Sequence, residues 1–315
     1  MARFLALFTA LFLFPTDVVR AQSASEVEAL RKAFVALSKE DAAGARAEVQ
    51  GQSSLVRDIL TWRLLRDLGD RPAVVQALFE LHPDWPQKQR LWRKAEEHLE
   101  GIRPREIISF FDKYGAQTAK GSLYLAKAQR TEMRSAAVET VRTAWARFPM
   151  DQALTAEYES QFGAALRAAD FDRVQMLLWA RETTQAEGLV PRLTARERAL
   201  AEARIALQTG VPDALRQLRS LPEADRTDAG LNYDLFRYHR ARGARKAALK
   251  VILDASRSTQ TLGRPEVWAG PRQLLVRDAM DRGDMRLAYA LAASHNLTSG
   301  GKFADLSFLS GFIAL

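Results

Sequence analysis

From Ser25 onward the apolar residues of this chain recur three and four positions apart, and no stretch alternates at two between turn signals. That period puts one apolar stripe along a helix and cannot lay an apolar face on a sheet. Val27, Leu30, Ala33, Phe34 and Leu37 open the series, behind Ser25 and Glu28 at capping-box spacing. Asp41 caps a second helix through Val49. Ser53 or Ser54 opens a third, which Gly69 ends, and Arg71-Pro72 starts a fourth that reaches His82. The prolines of Pro83-Asp84-Trp85-Pro86 make a turn, Gln87 to Leu99 follows as a helix with a basic first half, and Gly101 closes it.

Pro104 opens the next helix, and Thr118 to Ala128, Met133 to Phe148, Asp151 to Phe162, Asp170 to Thr183 and Thr194 to Gln208 continue the series. Pro212 and Pro222 mark later boundaries. Asp228 to Arg242 and Arg245 to Ser256 form a hairpin about Gly243. Arg264 to Arg282 and Asp284 to Ser294 form another about Gly283, and a third helix starts after it. Short loops make neighbouring helices antiparallel. The expected fold is therefore all-α, an irregular α-superhelix or solenoid of antiparallel helical hairpins.

The two late hairpins share a pattern. Leu235 and Leu275 stand eight residues before their glycines, and Ala248 and Ala288 five after. A turn glycine followed by a small residue that lets two helices approach is the logic of a tetratricopeptide (TPR) unit. The 40-residue step from Ala248 to Ala288 is too long for that repeat, so the array reads as degenerate and TPR-like.

Net charge is +8, and 36 of the 46 basic residues are arginine. Acidic residues are interspersed throughout, so the arginines read as solvated helix faces rather than a stripe for nucleic acid. With no cysteine, the chain has no disulfide framework, cysteine-ligated zinc or thiol nucleophile. Met1-Ala2-Arg3, the apolar run Phe4 to Phe14, Pro15, and Val19 and Ala21 before Gln22 read as a secretory signal peptide over residues 1–21. The run is too short to span a bilayer, which takes about 20 residues. Residues 22–315 are then an exported helical domain, expected in the periplasm.

Candidate chemistry is sparse. His82, His98, His239 and His295 have no metal-ligand spacing among them. Ser299-Gly300-Gly301-Lys302 lacks the strand and glycine spacing of a phosphate loop and reads as an inter-helix turn. Glu96 and Glu97, beside Lys94 and His98, read as a solvated face, and Glu26 and Glu28 as helix-start acids. Trp62, Trp85, Trp92, Trp145, Trp179 and Trp268 could stack on sugars, but their spread over separate helices favours packing between hairpins. No catalytic, cofactor-binding or metal residue is assigned.

Several stretches, in order, carry a resemblance: LVRDILTWRLLRDLG (Leu55–Gly69), FELHPDWPQKQRLWRKAEEHL (Phe79–Leu99), YDLFRYHRARG (Tyr233–Gly243), and LLVRDAMDRGDMRLAYALAASHNL (Leu274–Leu297) followed by Phe303 to Leu315. Together with the export signal they resemble the N-terminal superhelical region of soluble lytic murein transglycosylases. The resemblance implies a scaffold for cleavage of MurNAc–GlcNAc links in peptidoglycan with a 1,6-anhydro product. It implies glycan strands and a C-terminal lysozyme-like catalytic domain as partners, and neither cofactor nor nucleic acid. In the family one glutamate serves as acid and then base. Glu159-Ser160 is the sole Glu-Ser pair here, and the glycine-leucine-methionine-glutamine stretch that should follow is missing. Glu159 is therefore set aside, and the chain alone is expected to be inactive. Phe308, Phe312 and Leu315 form an apolar stripe with no later element to cover it, so the chain reads as cut before that catalytic domain. The alternative is a non-enzymatic periplasmic TPR-like adaptor for protein partners.

Overall fold

A computed structural model describes residues 23–133 and 135–315. The signal peptide expected over residues 1–21 lies outside the described residues. All regular structure among them is helical, and it falls into two compact units that divide at Glu100. The helices pair with their chain neighbours, so the chain is an all-α solenoid of helical hairpins, as the periodicity predicts.

The first unit holds α1 (Ala24–Leu37), α2 (Ala42–Glu48), α3 (Ser54–Asp67), α4 (Pro72–Leu81) and α5 (Lys88–Ala95). Its core is Leu30, Ala33, Val56, Leu60 and Leu64. Two local expectations need correction. The capping box of α1 is Ser23 with Glu26, two residues earlier than expected, and Glu28 instead pairs with Arg31 at 2.6 Å on the surface. Helix α5 stops at Ala95, four residues short of Leu99, and Glu96 is buried rather than solvated, at 1% exposure.

The second unit runs from α6 (Pro104–Tyr114) through α7 (Ala119–Thr131), α8 (Ala136–Arg147), α9 (Gln152–Leu166), α10 (Asp170–Ala180), α11 (Thr183–Leu189), α12 (Ala195–Thr209) and α13 (Ala214–Ser220). It continues through α14 (Ala229–Ala241), α15 (Arg245–Ala255), the single turn α16 (Thr259–Leu262), α17 (Pro265–Asp281), α18 (Met285–Ala293) and α19 (Gly301–Ala314). Gly243 and Gly283 sit at φ +68° and +74° in the tight turns of the last two hairpins, where a side chain would be strained. Pro271 lies inside α17 and has no N–H for the Val267 carbonyl one turn back. The Tyr233 hydroxyl donates to that carbonyl at 3.3 Å instead, so the helix continues.

Polar side chains also bridge helices that are well separated in sequence. Arg173 reaches back 28 residues to Trp145, Gln208 back 30 to Leu178, Asn232 forward 29 to Thr261, and Gln273 forward 32 to Asp305. Such contacts tie successive parts of the second unit together, as stacking in a solenoid requires.

Three arginines are fully buried between hairpins: Arg173, Arg204 and Arg272. This corrects the reading of the arginines as solvated faces. Arg173 donates to the carbonyls of Trp145 (3.1 Å) and Phe148 (2.6 Å) at the C-terminus of α8, with its guanidinium 4.5 Å from the Trp145 ring centre. Arg272 donates to Leu291 O at 2.8 Å and Ser294 Oγ at 3.0 Å at the end of α18, and to Ser256 Oγ at 2.6 Å at the end of α15. The last carbonyls of a helix lack intrahelical donors and carry its partial negative charge, so a buried cation finds both partner and counter-charge there. Burial pushes both groups down to about 10, which leaves them charged at neutral pH. Arg204 instead pairs with Asp234 at 2.7 Å and donates to Gln175.

Gly230 makes room for Arg204. A Cβ there would stand 2.3 Å from the guanidinium carbon. Glycine to alanine within a helix ordinarily gains up to about 1 kcal/mol. We expect Gly163→Ala in α9, where a Cβ meets nothing within 4 Å, to show that gain in urea unfolding. Gly230→Ala reverses the sign and costs about 2 kcal/mol, because it displaces the buried Arg204–Asp234 pair.

Candidate functional site

The prolines of Pro83-Asp84-Trp85-Pro86 stop α4 and carry the chain into α5 with Gln87 at φ +64°. That turn gathers a half-buried aromatic cluster in the first unit. The His82 ring stacks on Trp85 with centres 4.0 Å apart and planes at 11°. His82 Nε2 lies 2.9 Å from Asp58 Oδ2 of α3, and the Trp62 indole N–H donates to Pro86 O at 3.0 Å. The Arg66 guanidinium lies 5.3 Å from the Trp62 ring centre. Asp58 thus holds the histidine, the histidine holds one face of Trp85, and Trp62 anchors the turn. Exposed Arg90 and Arg93 follow on α5.

An aromatic face beside a carboxylate, an imidazole and a guanidinium suits a polyhydroxylated ring: C–H bonds stack on the indole while hydroxyls reach the polar groups. Trp92, Trp145 and Trp268 are core residues at 2% exposure or less, as packing between hairpins predicts. Trp62, Trp85 and Trp179 keep partly exposed faces. Trp179 stacks on Tyr233 with Arg264 against its ring, in the second unit. Three of the six tryptophans are thus buried in cores and line no groove.

The other candidates have structural partners. Glu159 pairs with Arg192 at 2.6 Å. His98 Nε2 lies 3.3 Å from Leu68 O at the end of α3 and against Gly69. His239 is half-buried beside Tyr238, with its imidazole below the ordinary range because of burial and then Arg242. Ser299 to Lys302 form the turn into α19, whose N-cap is Gly300 at φ +90°. Phe308 and Phe312 on α19 and Leu315 after it are exposed, while Leu306 on the other side of the helix is buried. No helix among the described residues is long and apolar enough to cross a membrane.

No family model matches this sequence, and no curated protein or solved structure matches it.

His295 sits at the joint of α18 and α19 and titrates. Its Nδ1 accepts the Leu297 N–H at 2.9 Å, which puts the proton on Nε2, 3.2 Å from Ser307 Oγ; Phe303 meets the ring edge-on. Burial, and then the Arg272 charge, hold the imidazole below its usual 6.5. A base depressed in the folded state is protonated first in the unfolded chain. Its contribution is therefore complete above about 6.5 and is lost as pH falls below that value. Urea midpoints should drop across this window in the wild type. His295→Asn, which keeps an acceptor near Nδ1, should shrink the drop and leave the share of His239, which is also held below 6.5; an unchanged profile assigns the acid loss elsewhere.

Proposed function

We propose that this chain is the non-catalytic helical scaffold of a periplasmic lytic transglycosylase, which holds peptidoglycan for chemistry performed by a lysozyme-like domain not contained in this sequence. The order of the motifs from Leu55 to Leu315 supports the reading, and so does their placement on paired helices: α3, the α4–α5 turn, α14, and the α17–α18 hairpin with α19. The observation that carries it is the His82–Trp85 stack with Trp62 and Asp58 beside it, built by the HPDWP turn of one of those motifs. An aromatic face of this kind can pack against successive sugars of a glycan strand, and the exposed arginines of α5 can meet the carboxylates of its peptide stems.

The purified chain should sediment with isolated sacculi in a salt-sensitive manner and release no 1,6-anhydro-muropeptides. Trp85→Ala should weaken that binding about tenfold, the loss of about 1.4 kcal/mol of stacking. Release of anhydro products by the chain alone would contradict a non-catalytic role. Absence of sacculus binding, or binding indifferent to Trp85, would contradict the glycan contact.

A further inference from the structure

Helix α19 turns one face to its neighbours and the opposite face outward. Leu306 is buried, and Leu309 and Ile313 pack with it on the core of the second unit. At about 100° per residue, the opposite side carries Ala304, Phe308 and Gly311, with Gly301 and Phe312 flanking them. All five are exposed, Phe308 at 68% and Phe312 at 57%. The two rings lie side by side, with centres 6.2 Å apart and planes at 16°.

Three properties of this face bear on what covers it. Gly301, Ala304, Phe308 and Gly311 follow one another at steps of three, four and three, the a and d spacing of a coiled-coil seam, so a second helix fits along it. Large and small residues share the seam, with phenylalanine knobs at 308 and 312 and shallow places at 301, 304 and 311. The face is also uncharged: Leu306 to Leu315 carry no charged side chain, and Asp305 on the flank is held by Arg277 at 3.1 Å and by Gln273. A charged partner finds no ion pair there. In a chain of net charge +8, it is a surface on which two copies approach with little repulsion.

We infer that this face binds its counterpart on a second copy of the chain, α19 against α19 in antiparallel order. A twofold axis beside Leu306 brings Phe308 of each copy onto Ala304 of the other and Phe312 of each beside the other's Gly301. Each phenylalanine then meets a residue with one methyl group or none, so the knobs of one copy fill the shallow places of the other. The two Lys302 residues stand ~12 Å apart along the helix axis, beyond the screening length of about 8 Å at physiological salt. A contact of one helix from each copy covers roughly 1,000 Å² in total, the low end for specific association, which sets a dissociation constant of roughly 10–100 μM. The dimer does not depend on the glycan reading, because α19 and the α4–α5 turn share no residue.

The test is sedimentation equilibrium of the full chain from about 2 to 200 μM, a range that spans this constant. The average mass should rise from one chain to two and stop there, because a twofold contact closes on itself. Phe308→Ser should weaken the dimer roughly tenfold or more. Ala304→Leu separates a fitted seam from general apolar adhesion. It enlarges the apolar surface of the outward face without touching the core, so adhesion alone would tighten association; in the fitted seam it blocks the place of Phe308 and weakens the dimer roughly tenfold. Val138→Ser, at an exposed apolar position on α8, should change nothing. A wild type that stays monomeric over the whole range would overturn the proposal and leave the face to a different protein or another segment. Association that Phe308→Ser leaves intact, that Ala304→Leu strengthens, or that continues past two chains would also overturn it.

Discussion

A guanidinium buried against the end of a neighbouring helix is the interaction on which the second unit depends. Hydrophobic burial stacks hairpins but is non-directional and fixes their register weakly. Arg173 and Arg272 supply direction. Each is long enough to leave its own helix, cross the interface and donate to carbonyls that no intrahelical N–H can reach. Arg272 links the ends of α15 and α18 from its place on α17, so one side chain ties three helices. Two of these partners are serines whose hydroxyls also donate to their own helix, Ser256 to Ile252 and Ser294 to Ala290. The guanidinium thus completes a network that begins in the backbone.

The same geometry accounts for the choice of arginine over lysine. A lysine ammonium is a point donor, whereas the planar fork reaches two helix ends at fixed angles. Weaker versions recur nearer the surface: Arg142 donates to Ala165 O at 2.7 Å, Arg242 to Gly210 O at 2.8 Å, and Arg226 to Arg219 O at 2.7 Å. Part of the positive charge is therefore structural, and net charge overstates what the protein offers to an anionic partner. What is left over matters for function. The exposed arginines of α5 stand beside an aromatic turn.

The helices were legible where local chemistry decides them. Glycine turns at 243 and 283 and proline starts at 72 and 104 stand where their conformational preferences place them. Short helices such as α11 and α13 were not, because seven residues carry too few apolar positions to show a period. The burial of Arg173, Arg204 and Arg272 was invisible for another reason. Their acceptors lie about 20 to 30 residues away, and an arginine on an amphipathic helix looks the same whether it faces water or the next hairpin. Of the aromatic cluster, the prolines revealed the turn but not the His82–Trp85 stack, which needs Asp58 from another helix.

Equilibrium urea unfolding of Arg272→Met, set against Arg257→Met, tests this account most directly. Arg257 is an exposed arginine paired with Asp254 at 2.7 Å. Methionine keeps much of the volume at position 272 but strips the donors from Leu291 O, Ser256 and Ser294. The account predicts a loss of about 3 kcal/mol for Arg272→Met and less than about 0.5 kcal/mol for Arg257→Met. Equal effects, or an Arg272→Met protein as stable as the wild type, would mean that apolar packing alone holds the hairpins and that the buried guanidinium contributes nothing to their register.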